Sequence, residues 1–332
     1  MAASNDEEIP KQLAQQVEDL SINIENDMLT TCANCGKEGK NPNTCNKCDL
    51  AVQYCNAACK KKHRSKHKKD CERRVAELHE EELERERREA ELHDEKLFKQ
   101  PPPKGDCPIC MLLLPSIYTG SKYRSCCGKR ICSGCIHAVE IRDGGVGLCP
   151  FCRSPTPTAK EMIEQTKKRM ELGDTQAIYN LGCLYSDGLH GLPQDRDKAL
   201  ELWHQAAELG SATSYFSIAA SYINGNGAER DVKKAHYYWE LAAMGGHLDA
   251  MHNLGVFEMR SGNIDRAVKH YMIAAGCGDN DSLEKIKQMF MNGHVMKDDY
   301  AKALQVHQAN LVEIKSSQRD EAAAFDDNYK YY

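Results

Sequence analysis

Eight cysteines in the middle of the chain have types and spacing suited to metal chemistry. They fall within forty-six residues, and six of them form Cys-x-x-Cys pairs. The eight are Cys107, Cys110, Cys126, Cys127, Cys132, Cys135, Cys149 and Cys152. A two-residue spacing lets one tight turn direct both thiolates at the same ion, and four thiolates complete a tetrahedral zinc site. The pattern therefore predicts two four-ligand sites.

The cysteine count of the whole chain has two possible explanations, disulfides or metal sites. Of 17 cysteines in 332 residues, all but Cys183 and Cys277 lie between Cys32 and Cys152. Residues 1–10 are acidic without an apolar core, so we expect no signal peptide, and no run of about 18 apolar residues predicts a membrane span. A reducing compartment, cytoplasmic and/or nuclear, favours zinc over disulfides. The two isolated cysteines are expected to be buried as small apolar residues.

A second set of eight candidate ligands precedes the first. These are Cys32, Cys35, Cys45, Cys48, Cys55, Cys59, His67 and Cys71. Three intervening residues place two ligands on one face of a helix, about one turn apart. The segment resembles the MYND zinc finger over its whole length, in Tyr54-Cys55, the Cys59-to-His67 interval and the His67-Lys68-x-x-Cys71 ending. That resemblance implies interleaved ligands, with one zinc on Cys32, Cys35, Cys55 and Cys59 and another on Cys45, Cys48, His67 and Cys71.

Two features of this segment affect what it would bind. MYND fingers usually carry a tryptophan just after the position of His63, where this chain has Arg64, so the apolar surface for peptides is altered. His63 is an alternative ligand, although a surface position on a basic helix is the simpler interpretation. The lysines of residues 60–69 predict a solvated helix face or a patch for acidic partners, and no interleaved aromatic residues favour nucleic acid.

The central cysteines resemble a RING domain of the all-cysteine type. The resemblance implies cross-braced pairs, with Cys107, Cys110, Cys132 and Cys135 on the first zinc and Cys126, Cys127, Cys149 and Cys152 on the second. Such interleaving compensates for a core too small to fold alone. The adjacent pair Cys126-Cys127 departs from RING spacing and requires a backbone bend, which Gly128 can provide. His137 is the alternative ligand.

Three residues that bind no metal distinguish a ubiquitin ligase from an inert zinc fold. Ile109 lies between the first two ligands, Pro150 lies between the last two, and Arg153 follows the last. In RING ubiquitin ligases these positions form the platform for the ubiquitin-conjugating enzyme, and the arginine also contacts ubiquitin. The resemblance thus implies catalysis by positioning, without a catalytic side chain. In the alternative, Ile109 and Pro150 only pack the zinc loops and Arg153 is a surface charge.

The segments around these modules are predicted to be helical. Residues 72–100 are rich in helix formers with i,i+4 charge pairs such as Glu81–Arg85, which predicts a solvated helical linker of about 42 Å. Residues 173–314 repeat with a period of 36 or 37, about four times. The two clearest copies match Ala177, Leu181, Gly182, Tyr185, Trp203 and Ala206 with Ser214, Ile218, Ala219, Tyr222, Trp239 and Ala242.

The repeats resemble Sel1-like repeats, relatives of the tetratricopeptide repeat. The resemblance implies pairs of antiparallel helices that stack into a solenoid with a concave binding surface. The recurring tryptophans, Trp203 and Trp239, are then core residues. From the RING segment onward the order of modules is similar to that of predicted diatom proteins, and this likeness implies no characterised activity.

The sequence therefore predicts a multidomain protein with two small zinc-stabilised cross-brace modules (α+β, irregular) joined by a charged helix and followed by an all-α Sel1-like solenoid. The predicted segments are a tail (1–31), the MYND-type finger (32–71), the charged helix (72–100), the RING-type finger (104–154), a linker with a helix (155–172), the repeats (173–314) and a C-terminal tail (315–332) that would cap the last repeat.

These modules favour a RING-type E3 ubiquitin ligase with about four zinc ions. The RING module would recruit a ubiquitin-conjugating enzyme and ubiquitin, and the repeats or the MYND finger would recruit substrate as protein or peptide ligands. The alternative is a non-enzymatic zinc-binding interaction scaffold. A lysine methyltransferase is nearly excluded, because no stretch resembles a SET domain. A net charge of −5 gives no general attraction to nucleic acid or membranes.

Overall fold

A computed structural model describes residues 42–44, 51–53, 57–102, 105–115 and 120–331. The chain divides into two compact units, 1–92 and 93–332. The elements are β1 Pro42–Thr44, β2 Ala51–Gln53, α1 Ala57–Leu97, β3 Ser121–Arg124, β4 Lys129–Cys132, α2 Ser133–Arg142, α3 Ala159–Glu171, α4 Thr175–Asp187, α5 Arg196–Glu208, α6 Ala212–Asn224, α7 Val232–Met244, α8 Leu248–Arg260, α9 Ile264–Gly276, α10 Asn280–Met291, α11 Lys297–Ile314, α12 Ser317–Phe325 and a short 3₁₀ helix, Asp327–Tyr329.

The described part of the first unit comprises a small sheet and most of a long charged helix. Strands β1 and β2 pair antiparallel, with Asn43 opposite Val52. Along α1, Glu81 pairs with Arg74 at 2.9 Å rather than with Arg85, which lies near Glu82 and Glu89 instead. Exposed pairs of this kind stabilise a helix weakly, because water screens them. The helix therefore depends mainly on the intrinsic propensity of its residues.

The last turn of α1 belongs to the second unit and is packed rather than solvated. Leu97 is only 2 % exposed and lies in the hydrophobic core around the third repeat. On the same turn, Asp94 forms an ion pair with Arg266, and His93 lies 3.4 Å from Glu240. The charged linker predicted over 72–100 thus ends as part of the repeat core.

The cysteine-rich part of the second unit is a hairpin followed by a helix. Strands β3 and β4 pair antiparallel with Ser121 opposite Cys132, and α2 begins at the next residue. Ile131 and Ile136 are fully buried, and four of the cysteines share their core. With so few apolar side chains, this segment requires additional cross-links to be stable.

Helices α4 to α11 form four consecutive helical pairs. Asp174, Asp195, Ser211 and Asp231 cap four of the helix N-termini, each accepting a hydrogen bond from a backbone amide in the first turn. Gly182 faces Trp203 so closely that a Cβ would lie 2.6 Å from the indole nitrogen. A small residue therefore faces a large one across the first helical pair, as the repeat pattern predicts.

The recurring aromatic residues and the isolated cysteines lie in or beside the repeat core. Trp203 is buried, and its indole N–H donates to the carbonyl of Tyr179. Trp239 is partly buried against a neighbouring core. Cys183 and Cys277 are also partly buried, and burial raises the pKa of the Cys183 thiol.

The C-terminal segment lies on α2 and also contacts the end of the last repeat helix, because Arg319 donates to the carbonyl of Ile314. Phe325 packs against His137, with ring centroids 4.7 Å apart, and the hydroxyl of Tyr329 donates to Glu140 at 2.8 Å. Residues 317–329 thereby enclose the core of the cysteine-rich segment. Among the helices that the structure describes, none combines the length and the apolar character that a membrane crossing requires.

Candidate metal centres

The first cluster, defined by Cys107, Cys110, Cys132 and Cys135, brings four sulfurs within 4.8 Å of one another. The Sγ atoms of Cys110 and Cys132 are 3.7 Å apart. A tetrahedral site with Zn–S bonds of about 2.3 Å has sulfur–sulfur edges of about 3.8 Å. Three of the four cysteines are buried and Cys110 is partly buried. The cluster therefore has the donors and the dimensions of a structural zinc site.

The second cluster, defined by Cys126, Cys127, Cys149 and Cys152, has the same dimensions. The Sγ of Cys152 lies 3.4 Å from that of Cys126, and the Sγ of Cys127 lies 3.8 Å from that of Cys149. Cys152 is exposed, which distinguishes this cluster from the first. The structure thus groups the eight cysteines in the cross-braced pairs that the RING resemblance implies.

The adjacent cysteines reach one cluster because the β3–β4 turn bends sharply. Gly128 has φ +68°, and its N–H donates to the carbonyl of Arg124 at 2.8 Å. A residue with a side chain rarely adopts this backbone conformation. His137, the alternative ligand, is buried against Phe325 and lies in neither cluster.

Each Cys-x-x-Cys pair outside the hairpin is held by the same turn. The N–H of Met111 donates to the backbone carbonyl of Cys107, and the N–H of Arg153 donates to the backbone carbonyl of Cys149, both at 2.9 Å. Met111 and Arg153 both have positive φ, 55° and 62°. The turn at Cys132 differs, because that residue is the N-cap of α2 and its sulfur accepts from the N–H of Cys135 at 3.5 Å. The backbone geometry of these turns thus directs the sulfurs toward the centre of each cluster.

Neighbouring groups and burial shift the pKa values of several clustered thiols in different directions. Hydrogen bonds with the thiols of Cys132 and Cys135 lower the pKa of Cys107. Burial raises the pKa of Cys126. Burial also acts to raise the pKa of Cys152, but hydrogen bonds with Ser154 and with neighbouring thiols outweigh it and lower the pKa to about 6. None of these eight cysteines is in a disulfide. Thiolates bind zinc after losing their protons, so metal affinity falls as the pH falls.

Most of the candidate ligands between Cys32 and Cys71 lie outside the described residues. They are Cys32, Cys35, Cys45, Cys48 and Cys55. Cys59, His67 and Cys71 lie on α1, with His67 and Cys71 one helical turn apart. Of these three, only Cys71 has a described side chain, and it is partly buried. The predicted pairing in this segment stays a prediction.

The three proposed platform residues differ in exposure. Ile109 is 39 % exposed, Pro150 is partly buried, and Arg153 is exposed. The guanidinium of Arg153 lies 2.5 Å from a carboxylate oxygen of Asp143, and this pairing, together with that of Arg142, lowers the pKa of Asp143.

Two exposed apolar residues beside the proposed platform residues are not among the candidates that the sequence predicts. Met111 is 71 % exposed and Phe151 is 45 % exposed. Each is adjacent to a clustered cysteine, in the same turns as Ile109 and Pro150. That position next to a ligand is the signal by which the sequence could have identified them.

Two family matches agree with the modules. The Sel1 repeat family matches residues 175–211, 212–247 and 248–279, and the MYND finger family matches residues 32–71. The chain therefore carries Sel1 repeats and a MYND finger, both of which are protein-interaction modules. The fourth helical pair, α10 and α11, follows the matched repeats.

Two curated proteins resemble part of the chain. Chitin synthase regulatory factor 4 of Schizosaccharomyces pombe is 28% identical over 125 residues, which are 37% of this chain and 20% of that protein. The ERAD-associated E3 ubiquitin-protein ligase component HRD3B of Arabidopsis thaliana is 32% identical over 101 residues, 30% of this chain and 16% of that protein. The match thus spans a fifth or less of either relative.

Two solved structures also resemble part of this chain. A Sel1 repeat protein from Oxalobacter formigenes is 23% identical and covers 53% of this chain and 71% of its own, with a TM-score of 0.42. The protective antigen c5321 of uropathogenic Escherichia coli is 21% identical and covers 58% and 40%, with a TM-score of 0.41.

Proposed function

We propose that this protein, which carries Sel1 repeats and a MYND finger, is a RING-type E3 ubiquitin ligase of the cytoplasm and/or nucleus. The observation that carries the proposal is the grouping of the eight central cysteines into two clusters with alternating pairs along the chain. Alternating pairs are the pattern of a cross-brace, and they coincide with the exposed Ile109 and Arg153.

Each cluster would hold one zinc ion through four thiolates. The sulfur separations and the all-sulfur donor set fit zinc, which prefers tetrahedral thiolate sites. Two further ions would be held by the ligands between residues 32 and 71, which gives about four ions for the chain. Zinc here would supply folding energy only, because four protein ligands leave no open position for a substrate.

The transfer itself would depend on positioning. A ubiquitin-conjugating enzyme would bind at Ile109 and Pro150, and Arg153 would donate hydrogen bonds to both that enzyme and ubiquitin through its fixed set of N–H groups. A substrate amine then attacks the thioester carbonyl carbon, an amide forms, and the enzyme's cysteine leaves as a thiol. Holding the thioester in one conformation accelerates this step without any bond chemistry by the ligase.

The interaction modules would select the substrate. The repeats carry a row of partly buried aromatic side chains in which Tyr222 and Tyr238 stack with centroids 5.7 Å apart. The Arabidopsis relative, matched over a short stretch, is named as a component of an E3 ubiquitin-protein ligase. That likeness supports a role of this protein in a ubiquitin-ligase assembly.

The second candidate is a non-enzymatic scaffold. Both family matches are to interaction modules, and a scaffold requires nothing more. In that case the cysteine clusters only stabilise the central segment, and Ile109 and Arg153 have no partner enzyme.

An autoubiquitination assay with a panel of conjugating enzymes separates the two candidates. We expect ubiquitin chains with the zinc-loaded protein and a strong loss in Ile109→Ala and Arg153→Ala. Leu172→Ala and Arg260→Ala, two exposed positions outside the cysteine-rich segment, are the matched controls and are expected to keep full activity. Absence of chains with every enzyme would support the scaffold, and full activity in both platform variants would refute the platform.

A further inference from the structure

Arg319 is completely buried beside the first cluster. It lies in α12, at a position about 200 residues after the cysteines that it contacts, and its side chain has no exposed surface. An arginine is almost never fully buried unless its charge is compensated. Its surroundings therefore identify what it compensates.

The guanidinium is directed at the first Cys-x-x-Cys turn. Its Nη1 donates to the carbonyls of Leu113 at 2.9 Å and Ile314 at 2.6 Å. Its Nη2 lies 3.5 Å from the carbonyl of Leu112 and 3.9 Å from the Sγ of Cys110. Within the described part of the chain, no carboxylate forms an ion pair with Arg319, and its Nε has no hydrogen-bond partner.

The neighbouring residue contacts the same cluster. The Oε1 of Gln318 lies 4.0 Å from the Sγ of Cys135. Helix α12 approaches α2 at Gly134, where a Cβ would lie 2.8 Å from the backbone nitrogen of Arg319. The hydrogen bond from Tyr329 to Glu140 holds the following residues on α2. The C-terminal segment therefore contacts the first cluster and α2 through both its backbone and its side chains.

Charge explains why an arginine is buried here. Four thiolates around one Zn²⁺ carry a net charge of about −2, and a buried net charge is costly unless an opposite charge is close. Two or three carbonyl oxygens satisfy part of the guanidinium's hydrogen bonding but supply no full negative charge. Hydrogen-bond donors around a metal site also hold its ligands in place, and their loss commonly costs 10- to 100-fold in metal affinity.

We propose that Arg319 is a positioning residue for the first cluster: its guanidinium is the counter-charge that holds the thiolates of Cys107, Cys110, Cys132 and Cys135 around zinc. The inference rests on the zinc sites of the proposed function. It adds that the packing of α12 against the cysteine-rich segment controls how firmly the first cluster holds its ion.

Zinc release from the full-length, zinc-loaded protein tests this inference. A chromogenic chelator reports the release rate of each class of ion, and ¹¹³Cd NMR of the cadmium-substituted protein reports each site separately. Arg319→Gln keeps donors for the carbonyls but removes the charge, whereas Arg319→Lys keeps the charge. Arg260→Gln, on an exposed arginine of the repeats, is the matched control.

We expect Arg319→Gln to release about one ion at least tenfold faster than the native protein and to shift one all-sulfur ¹¹³Cd resonance. Arg319→Lys should release that ion at close to the native rate. Equal release from native protein and Arg319→Gln would overturn the inference, and so would a lysine variant that releases as fast as the glutamine variant.

A second variant keeps the test informative if Arg319→Gln fails to fold. Gln318→Ala removes a smaller contact to the same cluster, and we expect it to shift the same ¹¹³Cd resonance while the others stay in place. No shift would contradict the claim that α12 borders the first site. The proposed ligands form three all-sulfur sites, which are the two central clusters and the site of Cys32, Cys35, Cys55 and Cys59. A native protein with fewer than three all-sulfur resonances would therefore contradict the zinc proposal itself, which separates that failure from failure of the inference.

Discussion

The two cysteine clusters have similar sulfur geometry, but each has an arginine in a different electrostatic setting. Beside the second cluster, Arg169 of α3 donates through Nε to the carbonyl of Ser125 at 2.7 Å and through Nη2 to that of Cys126 at 3.3 Å. Its Nη1 lies 3.9 Å from a carboxylate oxygen of Asp174. Arg319 binds comparable carbonyls at the first cluster without such a carboxylate. The comparison indicates that Arg169 fastens a turn, whereas Arg319 also balances charge.

The clusters also differ in how they connect to the rest of the second unit. The second is joined to the start of the repeats, because the hydroxyl of Tyr123 donates to Asp174 at 2.7 Å and that of Ser125 donates to Gln165 at 2.9 Å. The first is joined to the residues after the last repeat through α12. The cysteine-rich segment is thus attached to both ends of the repeat array, with one cluster at each attachment.

Loss of a clustered ligand should have the largest effect. We expect Cys107→Ser to lose about one zinc ion by metal analysis and to unfold the segment around α2, because structural zinc contributes on the order of 10 kcal/mol to small modules. Cys183→Ser, at a partly buried cysteine of the repeats, should keep the full zinc content. A native zinc content in Cys107→Ser would show that the first cluster does not bind the metal.

Substitution of Arg169, the arginine beside the second cluster, should lower the stability of the protein without accelerating zinc release. Arg169→Gln loses charge-assisted hydrogen bonds to two carbonyls, so we expect it to lower the free energy of unfolding by about 1–3 kcal/mol in urea denaturation. Its zinc release should stay near the native rate, in contrast to Arg319→Gln. If both variants accelerate zinc release equally, the difference between the two arginines does not exist.

Exposure should make the second cluster the more reactive one. Cys152 is exposed and Cys107 is completely buried. We therefore expect N-ethylmaleimide to modify Cys152 before the other seven clustered cysteines in the zinc-loaded protein. Peptide mass spectrometry at increasing reaction times measures the order. Uniform modification of all eight cysteines would mean that the clusters do not differ in accessibility.

The smallest effect is expected at the ion pair between the exposed Arg153 and the partly buried Asp143. Asp143→Asn removes the charged partner of Arg153 but keeps a side-chain oxygen that can accept its hydrogen bond. Water also screens the exposed guanidinium, so the Tm and the zinc content should not change measurably. Differential scanning calorimetry and metal analysis check both quantities. A clear drop in Tm would show that this ion pair stabilises the turn between Cys149 and Cys152 more than the exposure of Arg153 indicates.

Local sequence signals predicted much of this architecture. The repeat period indicates the helical pairs, because each repeat places residues of similar size at the same helix positions, as with Gly182 and Ala219 or Trp203 and Trp239. Cysteine spacing indicated four ligand pairs, since a turn of two intervening residues can be recognised in the chain itself. The family resemblance then supplied the cross-braced grouping, and Gly128 provides the expected bend.

Contacts between distant segments could not be predicted in this way. Arg319 and Arg169 lie in ordinary polar helix sequence, and only the folded chain places them on carbonyls beside the clusters. The packing of Leu97 into the repeat core is similar, because a single apolar residue at the end of a charged helix has no periodic pattern. Tertiary contacts of single side chains depend on the whole fold, so neither spacing nor composition reveals them.

Discharge of a ubiquitin-loaded conjugating enzyme tests the proposed ligase function most directly. In a single-turnover assay with free lysine as acceptor, the zinc-loaded native protein and its Leu172→Ala control should accelerate loss of the thioester. Arg153→Ala and chelator-treated protein should not. If the native protein accelerates discharge from no conjugating enzyme of the panel, the ligase proposal is contradicted and the scaffold remains.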